Sequence, residues 1–134
     1  MNHTRSVLAV AVASLWVAAG LAVAAPHADV APVLGKALAD LPGREGLLLT
    51  VTYPPGGADP VHRHDAHAFV YVLEGEIVMQ VKGSQAVTLK AGQTFYEGPD
   101  DVHLVGRNAS TTRPAKFVVF LVKKQGAPVL TPLK

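Results

Sequence analysis

The stretch GGADPVHRHDAHAFVYVLEGE, residues 56–76, decides how this chain is read. It opens on a Gly-Gly turn, sets His62 and His64 two apart, runs through an apolar segment and closes on the tight turn at Glu74-Gly75. Side chains two apart on an extended strand point the same way, so His62 and His64 aim two imidazoles at one place. His103 lies about forty residues later, in a second turn-and-strand segment over residues 92–108. Three imidazoles converging inside a β-barrel make a site for a first-row transition metal.

Working outward, the chain on either side reads as short strands. They are expected over residues 47–53, 67–73, 77–82, 86–90, 94–97, 102–107 and 115–123, each bounded by Gly, Pro, Ser or Asp. Short strands with turn signals every 8–12 residues or so indicate an all-β sandwich or barrel. Within residues 77–82, Ile77, Met79 and Val81 alternate with polar partners and are expected to face inward. Residues 25–45 read as a lead-in, in which residues 32–40 are expected to hold one or two helical turns before Pro42-Gly43. The barrel is expected over residues 46–124. The Pro- and Gly-bearing tail, 125–134, is expected on the surface.

The 134 residues suffice for one domain. The first of them read as a secretory signal peptide, residues 1–24. Arg5 precedes an uncharged run of Val, Leu, Ala and Trp, and Ala22-Val23-Ala24 offers small residues where a signal peptidase cuts. A membrane anchor is the competing reading, since the apolar run is about long enough to span. Cleavage removes one base and leaves eleven bases against ten acids. No basic stripe with interleaved aromatics suggests nucleic acid, and no membrane contact is expected after cleavage. The expected location is periplasmic or secreted. The chain has no Cys, so the core holds the fold without disulfides, and any metal is held by His, carboxylate or water.

The motifs carry a resemblance. Gly56, His62, His64 and Gly75 fall at the spacings of the first motif of the cupin superfamily, G-x5-H-x-H-x(3,4)-E-x6-G. Gly92 and His103 match the second, G-x5-P-x-G-x2-H-x3-N. There Pro99 and Asn108 are each one residue late, and Asp100 stands in place of a Gly. The chain thus resembles a small single-domain cupin of the type-2 kind. The resemblance implies a double-Greek-key, jelly-roll-like barrel with a divalent metal (Fe, Mn, Ni, Cu or Zn) held inside by His62, His64 and His103.

The resemblance breaks at Ala68, which stands where the pattern places a ligating Glu. Water, His67 or Glu97 are the alternatives for the fourth position, although strict alternation turns His67 away from His64. A site without the carboxylate would hold its ion less tightly and make it a stronger Lewis acid. Met79 and Tyr96 are the expected substrate contacts. The function this implies is an exported metal-binding cupin, a dioxygenase on a small organic molecule. A non-catalytic binding module and a metal-independent isomerase are the alternatives. A homodimer is a further expectation. Fold does not decide among these readings.

Overall fold

The structure, a computed structural model, describes residues 24–134, and the expected signal peptide lies outside the described residues except for Ala24. The described chain is all-β, in two antiparallel sheets of five strands each. The first sheet holds β1 (Asp29–Ala37), β2 (Arg44–Tyr53), β9 (Ala115–Lys124), β4 (Ala66–Glu74) and β7 (Thr94–Glu97), in that order. The second holds β10 (Thr131–Pro132), β3 (His62–Arg63), β8 (His103–Asn108), β5 (Glu76–Val81) and β6 (Val87–Lys90).

Alternation in the sequence builds the core. On β4, Ala66, Ala68, Val70 and Val72 are buried, while His67, Phe69, Tyr71 and Leu73 between them are exposed. Leu49, Val51 and Tyr53 on β2 and Phe117, Val119 and Leu121 on β9 complete one wall, and Ile77, Met79 and Leu89 supply the facing one. Val81 is only half buried, because the register between β5 and β8 shifts at Gln80/Val81. That shift also explains the late Asn of the second motif. Gln80 pairs with Val105 and Val81 with His103, so Leu104 is an extra residue on β8, a bulge that carries Asn108 one place further along. Asn108 is buried, and its amide donates to the carbonyls of Pro54 and Arg113 at 3.0 and 2.8 Å.

Two expectations about the ends are corrected. Residues 32–40 do not form helical turns: Asp29–Ala37 is strand β1, paired with β2 from Asp29↔Thr52 to Ala37↔Glu45. The pairing is non-local, so no nearby pattern announces it. Pro32, which has no N–H to give, sits at the bulge between Pro32 and Leu34 on this edge strand. The tail does not simply lie on the surface. Its Thr131 and Pro132 pair with Arg63 and His62, and Val129 and Leu130 line the interior cavity.

Gly75 shows why the β4–β5 turn needs its glycine. Its φ is +72°, and a Cβ there would lie 2.8 Å from the Pro114 carbonyl oxygen and 3.0 Å from Ala115 Cα. Gly75→Ala therefore adds a left-handed backbone penalty to a clash with main chain. The expected loss is about 2–4 kcal/mol, read as a shifted midpoint in urea unfolding. An unchanged midpoint would mean that the turn relaxes freely.

Candidate metal centre

The cluster is assembled from three strands and a corner. His62 on β3 and His103 on β8 are directly paired across the second sheet. Paired residues share a face, so both rings enter the barrel. His64 follows at the corner where the chain leaves the second sheet for the first. Asp65, the next residue, takes φ +50°, a left-handed turn that a short acidic side chain tolerates. Its carboxylate is held by Arg63 at 3.0 Å.

The fourth group comes from the opposite wall. Glu97 on β7 is paired with Ala68 on β4 and is buried on the same face. The position where the motif places a Glu carries a methyl group, and the carboxylate arrives from the neighbouring strand at the same level. The small side chain of Ala68, itself fully buried, leaves room for it.

One donor atom from each of His62, His64, Glu97 and His103 lies within 4.8 Å of the others. His62 Nε2 is 3.2 Å from His64 Nε2 and 3.3 Å from His103 Nδ1. Glu97 Oε2 is 3.4 Å from His103 Nδ1 and 3.7 Å from His64 Nε2. Four donors each about 2.1 Å from one ion would stand about 3.0 Å apart at right angles and about 3.4 Å apart at the tetrahedral angle. The four short spacings, 3.2 to 3.7 Å, lie close to these values, and a small inward adjustment of the donors would close them on a single small cation.

The surrounding hydrogen bonds prepare the donors. His62 Nδ1 donates to the Pro60 carbonyl at 2.8 Å, and His64 Nδ1 donates to the Val129 carbonyl at 2.7 Å. Each carbonyl takes the ring's one proton and leaves the Nε2 lone pair directed into the cluster. Glu97 Oε2 and His103 Nε2 are buried without a hydrogen-bond partner. Burial, with Asp101 and Asp59 adding to it, pushes the Glu97 carboxyl up to about 7. Burial, with His62 adding to it, pushes the His103 imidazole down to about 4. Burial also lowers His64, against the opposing pull of the Val129 carbonyl. A divalent ion beside Glu97 would offset the cost of burying its carboxylate, and neutral imidazoles are the form that ligates. The residues fit such an ion.

The cavity beside the cluster has a volume of about 50 Å³. Its wall is largely apolar and includes Val51, Val70, Met79 and Phe117. Two polar residues outside the cluster also line it, Tyr53 and Asp59. The Tyr53 hydroxyl donates to Asp59 Oδ2, and burial raises both groups above their usual ranges. Gly106 seats this corner: a Cβ there would lie 2.9 Å from His103 Cε1 and 2.9 Å from the Tyr53 hydroxyl.

The sequence-derived residues sort cleanly. His62, His64, Glu97 and His103 come together, and Met79 faces the cavity. His67 does not join them; it is on the outer face, with Nδ1 2.8 Å from the Tyr96 hydroxyl. Tyr96 is also corrected as a substrate contact. It precedes an inward residue on a strand, so it points outward and lies outside the cavity lining. Sequence reasoning misses Tyr53 and Asp59. Inward alternation through Leu49 and Val51 points to Tyr53, whereas nothing in the spacing marks Asp59.

Fold and cluster together define a two-sheet β-barrel protein with a buried His/Glu site. The chain belongs to the cupin family: the family's cupin-domain model matches residues 49–121. Among curated proteins none matches the chain. Solved structures do match. TT1209 from Thermus thermophilus is 28% identical with a TM-score of 0.57, over 72% of this chain and 85% of that one. An oxalate oxidase in complex with the substrate analogue glycolate is 25% identical with a TM-score of 0.59, over 78% of this chain and 54% of that one. The DMSP lyase DddQ from Ruegeria pomeroyi DSS-3 shares the fold at 21% identity and a TM-score of 0.56, over 65% of this chain. This chain spans only 42% of that lyase and about half of the oxalate oxidase.

Proposed function

We propose that this protein is an exported cupin that binds one divalent transition ion through His62, His64, Glu97 and His103 and oxidises a small organic acid or similarly small molecule beside it. The observation that carries the reading is the four-donor cluster opening onto a narrow, mostly apolar cavity. Three neutral imidazoles and one carboxylate, with no thiolate, suit iron, manganese, nickel, copper or zinc. Four protein ligands leave open positions on a six-coordinate ion, and a redox-active ion there would relay electrons from the substrate, which is oxidised, to dioxygen, which is reduced.

The remaining contributions belong to the chain. A cavity of about 50 Å³, bounded largely by apolar side chains, suits a small molecule. A small acid is the substrate class that this space suits best. The similarity to an oxalate oxidase that holds glycolate supports the same substrate class. The apolar wall excludes water from the reacting centre. The Tyr53–Asp59 pair holds a proton at the cavity wall, where it can be given to or taken from a bound hydroxyl or carboxyl group.

Export rests on the Ala22-Val23-Ala24 site, and an N-terminus at Ala25 in the mass spectrum of the exported protein is expected. Metal binding is tested by heating the protein with and without Mn²⁺, Fe²⁺ or Zn²⁺. At an ion concentration of about 100 Kd the folded state gains about 2.7 kcal/mol, which raises the Tm of a domain of this size by roughly 10 °C or more. Elemental analysis should return one ion per chain. No shift with any of these ions, together with no metal in the native protein, overturns the reading. Oxygen uptake with small hydroxy acids, dicarboxylates, thiols and diketones tests the reaction. Stoichiometric metal without uptake on any of these leaves a non-catalytic metal-binding module.

A further inference from the structure

The wall of the interior cavity carries acceptors and no fixed cation. Among the described residues that line it there is no Lys and no Arg. Outside the cluster, its oxygen- or nitrogen-bearing side chains are those of Tyr53 and Asp59. Tyr53 ends β2 on the inward face and is fully buried. Asp59 stands in the loop between β2 and β3, where its backbone N–H donates to the Gly106 carbonyl of β8 at 2.8 Å. That bond ties the loop to the strand that carries His103 and holds the carboxylate against the cavity that the cluster shares.

From this juxtaposition we propose that Tyr53 and Asp59 set the specificity of the site: it takes a short monocarboxylate whose far end carries a hydrogen-bond donor, an O–H or N–H that Asp59 receives, and it turns dicarboxylates away. The inference rests on the proposed metal site and names the ligand class within it.

Hydrogen-bond capacity supports the assignment. The Tyr53 hydroxyl donates to Asp59 Oδ2, so the phenol's one proton is committed. An ionised carboxylate has no proton of its own, and what the pair offers a ligand is lone pairs. Other acids of the fold are matched by cations: Asp65 lies 3.0 Å from Arg63, and Glu45 is paired with Lys123. Asp59 has no ion-pair partner among the described residues. The pair and the cluster also meet on either side of one glycine. A Cβ at Gly106 would lie 2.9 Å from the Tyr53 hydroxyl and 2.9 Å from His103 Cε1. His103 Nε2 approaches the same point at 3.2 Å and is buried without a hydrogen-bond partner. This corner therefore holds polar atoms that the protein itself leaves unmatched, and a short ligand at the cluster reaches it.

Charge decides which acids fit. One carboxylate of a ligand has its place at the ion, the largest local positive charge. A second carboxylate at the other end would face Asp59, and no Lys or Arg in the wall is there to neutralise it. Like charges brought together, or a charge buried without a partner, weigh heavily against binding in an apolar cavity. An alkyl end avoids the repulsion and leaves Asp59 desolvated with an empty acceptor. A site built to hydrogen-bond a ligand group rejects the analogue that lacks it for that reason. An O–H or N–H is the end that an acceptor pair satisfies.

The test is calorimetric titration of the Zn²⁺-loaded full chain with four acids of equal carbon length: β-hydroxypropanoate, β-alanine, propanoate and malonate. Zinc is not redox-active, so the acids bind without being oxidised. At least one of the two donor acids is expected to bind about 10-fold or more tighter than both propanoate and malonate. The tighter of the two tells whether the far end is a hydroxyl or an ammonium. Asp59→Asn keeps the shape, removes the charge and supplies an amide that donates. It is expected to lower the ratio of donor-acid affinity to malonate affinity by about 100-fold. Tyr53→Phe removes the hydroxyl that holds Asp59 and is expected to lower that ratio by about 10-fold. Elemental analysis after each titration shows that the acid has not stripped the ion. Far-UV circular dichroism identifies a variant that fails to fold, and the wild-type ranking and the other variant then decide. Propanoate or malonate binding as tightly as both donor acids overturns the inference, and so does a ranking unchanged in Asp59→Asn. Zn²⁺ bound with no acid bound overturns this inference alone. A chain that takes up no Zn²⁺ overturns the metal site and this inference with it.

Discussion

Glu97→Gln is expected to lower the affinity for divalent transition ions by at least about 100-fold. The substitution keeps the shape of the side chain and removes its charge. Loss of a residue that merely orients a ligand typically costs 10–100-fold in metal affinity, and Glu97 presents its own oxygen to the cluster. A 100-fold loss is about 2.8 kcal/mol. Competition titration against a chelator measures it for Zn²⁺ and Mn²⁺, and the thermal stabilisation by metal should shrink in parallel. The apo protein should not be destabilised, because the wild-type carboxyl is buried, lacks a partner on Oε2 and is pushed up to about 7. Wild-type affinity in Glu97→Gln, with binding lost in His62→Ala, would show that the carboxylate is a bystander and that three histidines do the binding.

Ala68→Glu carries the second large effect, and its sign depends on Glu97. In the wild-type background the new carboxyl would enter a fully buried position directly paired with Glu97. The Cβ atoms of such a pair stand about 4.5–5.5 Å apart, close enough for two acids to oppose each other's ionisation. Overpacking and an unpartnered polar group together are expected to cost about 2–4 kcal/mol, a fall in Tm of roughly 10–20 °C for the apo protein. Combining it with Glu97→Ala moves the carboxylate one strand over and empties its former place. The double variant is expected to regain metal affinity to within about 10-fold of wild type, where Glu97→Ala alone is far weaker. Equal weakness in the double and the single variant would mean that only β7 can deliver a carboxylate to the ion, and that the two positions are not interchangeable.

The relation between these two positions marks where the sequence stops being legible. Ala68 announces that a carboxylate is missing from β4, and Glu97 is visible nearby as one of several replacements. That Glu97 is the one that arrives follows from the β4–β7 register, which no local pattern specifies. Part of the remaining ambiguity was open to reasoning. Neighbours on a strand face opposite ways, so Tyr96 cannot share a cavity with Glu97, and His67 cannot replace Ala68 without a bulge. The structure shows no such bulge there; the register shift on β4 falls later, at Val72/Glu74.

By itself the sequence determined what is local and periodic. Alternation and turn residues placed seven strands, six of them to within one residue at each end and the seventh, β2, starting three residues late. The two-residue spacing committed His62 and His64 to one side, and the cupin motifs brought His103 to them. These hold because strand geometry and turn conformation depend on a residue and its near neighbours. Tertiary structure alone decided the rest. Strand β1 exists because β2 offers it a partner, and the tail turns inward because β3 does. Asp59 reaches the site because the Tyr53 hydroxyl meets it inside the barrel. Each of these rests on contacts between residues distant in sequence, where the chain's own order carries no measure of distance in space.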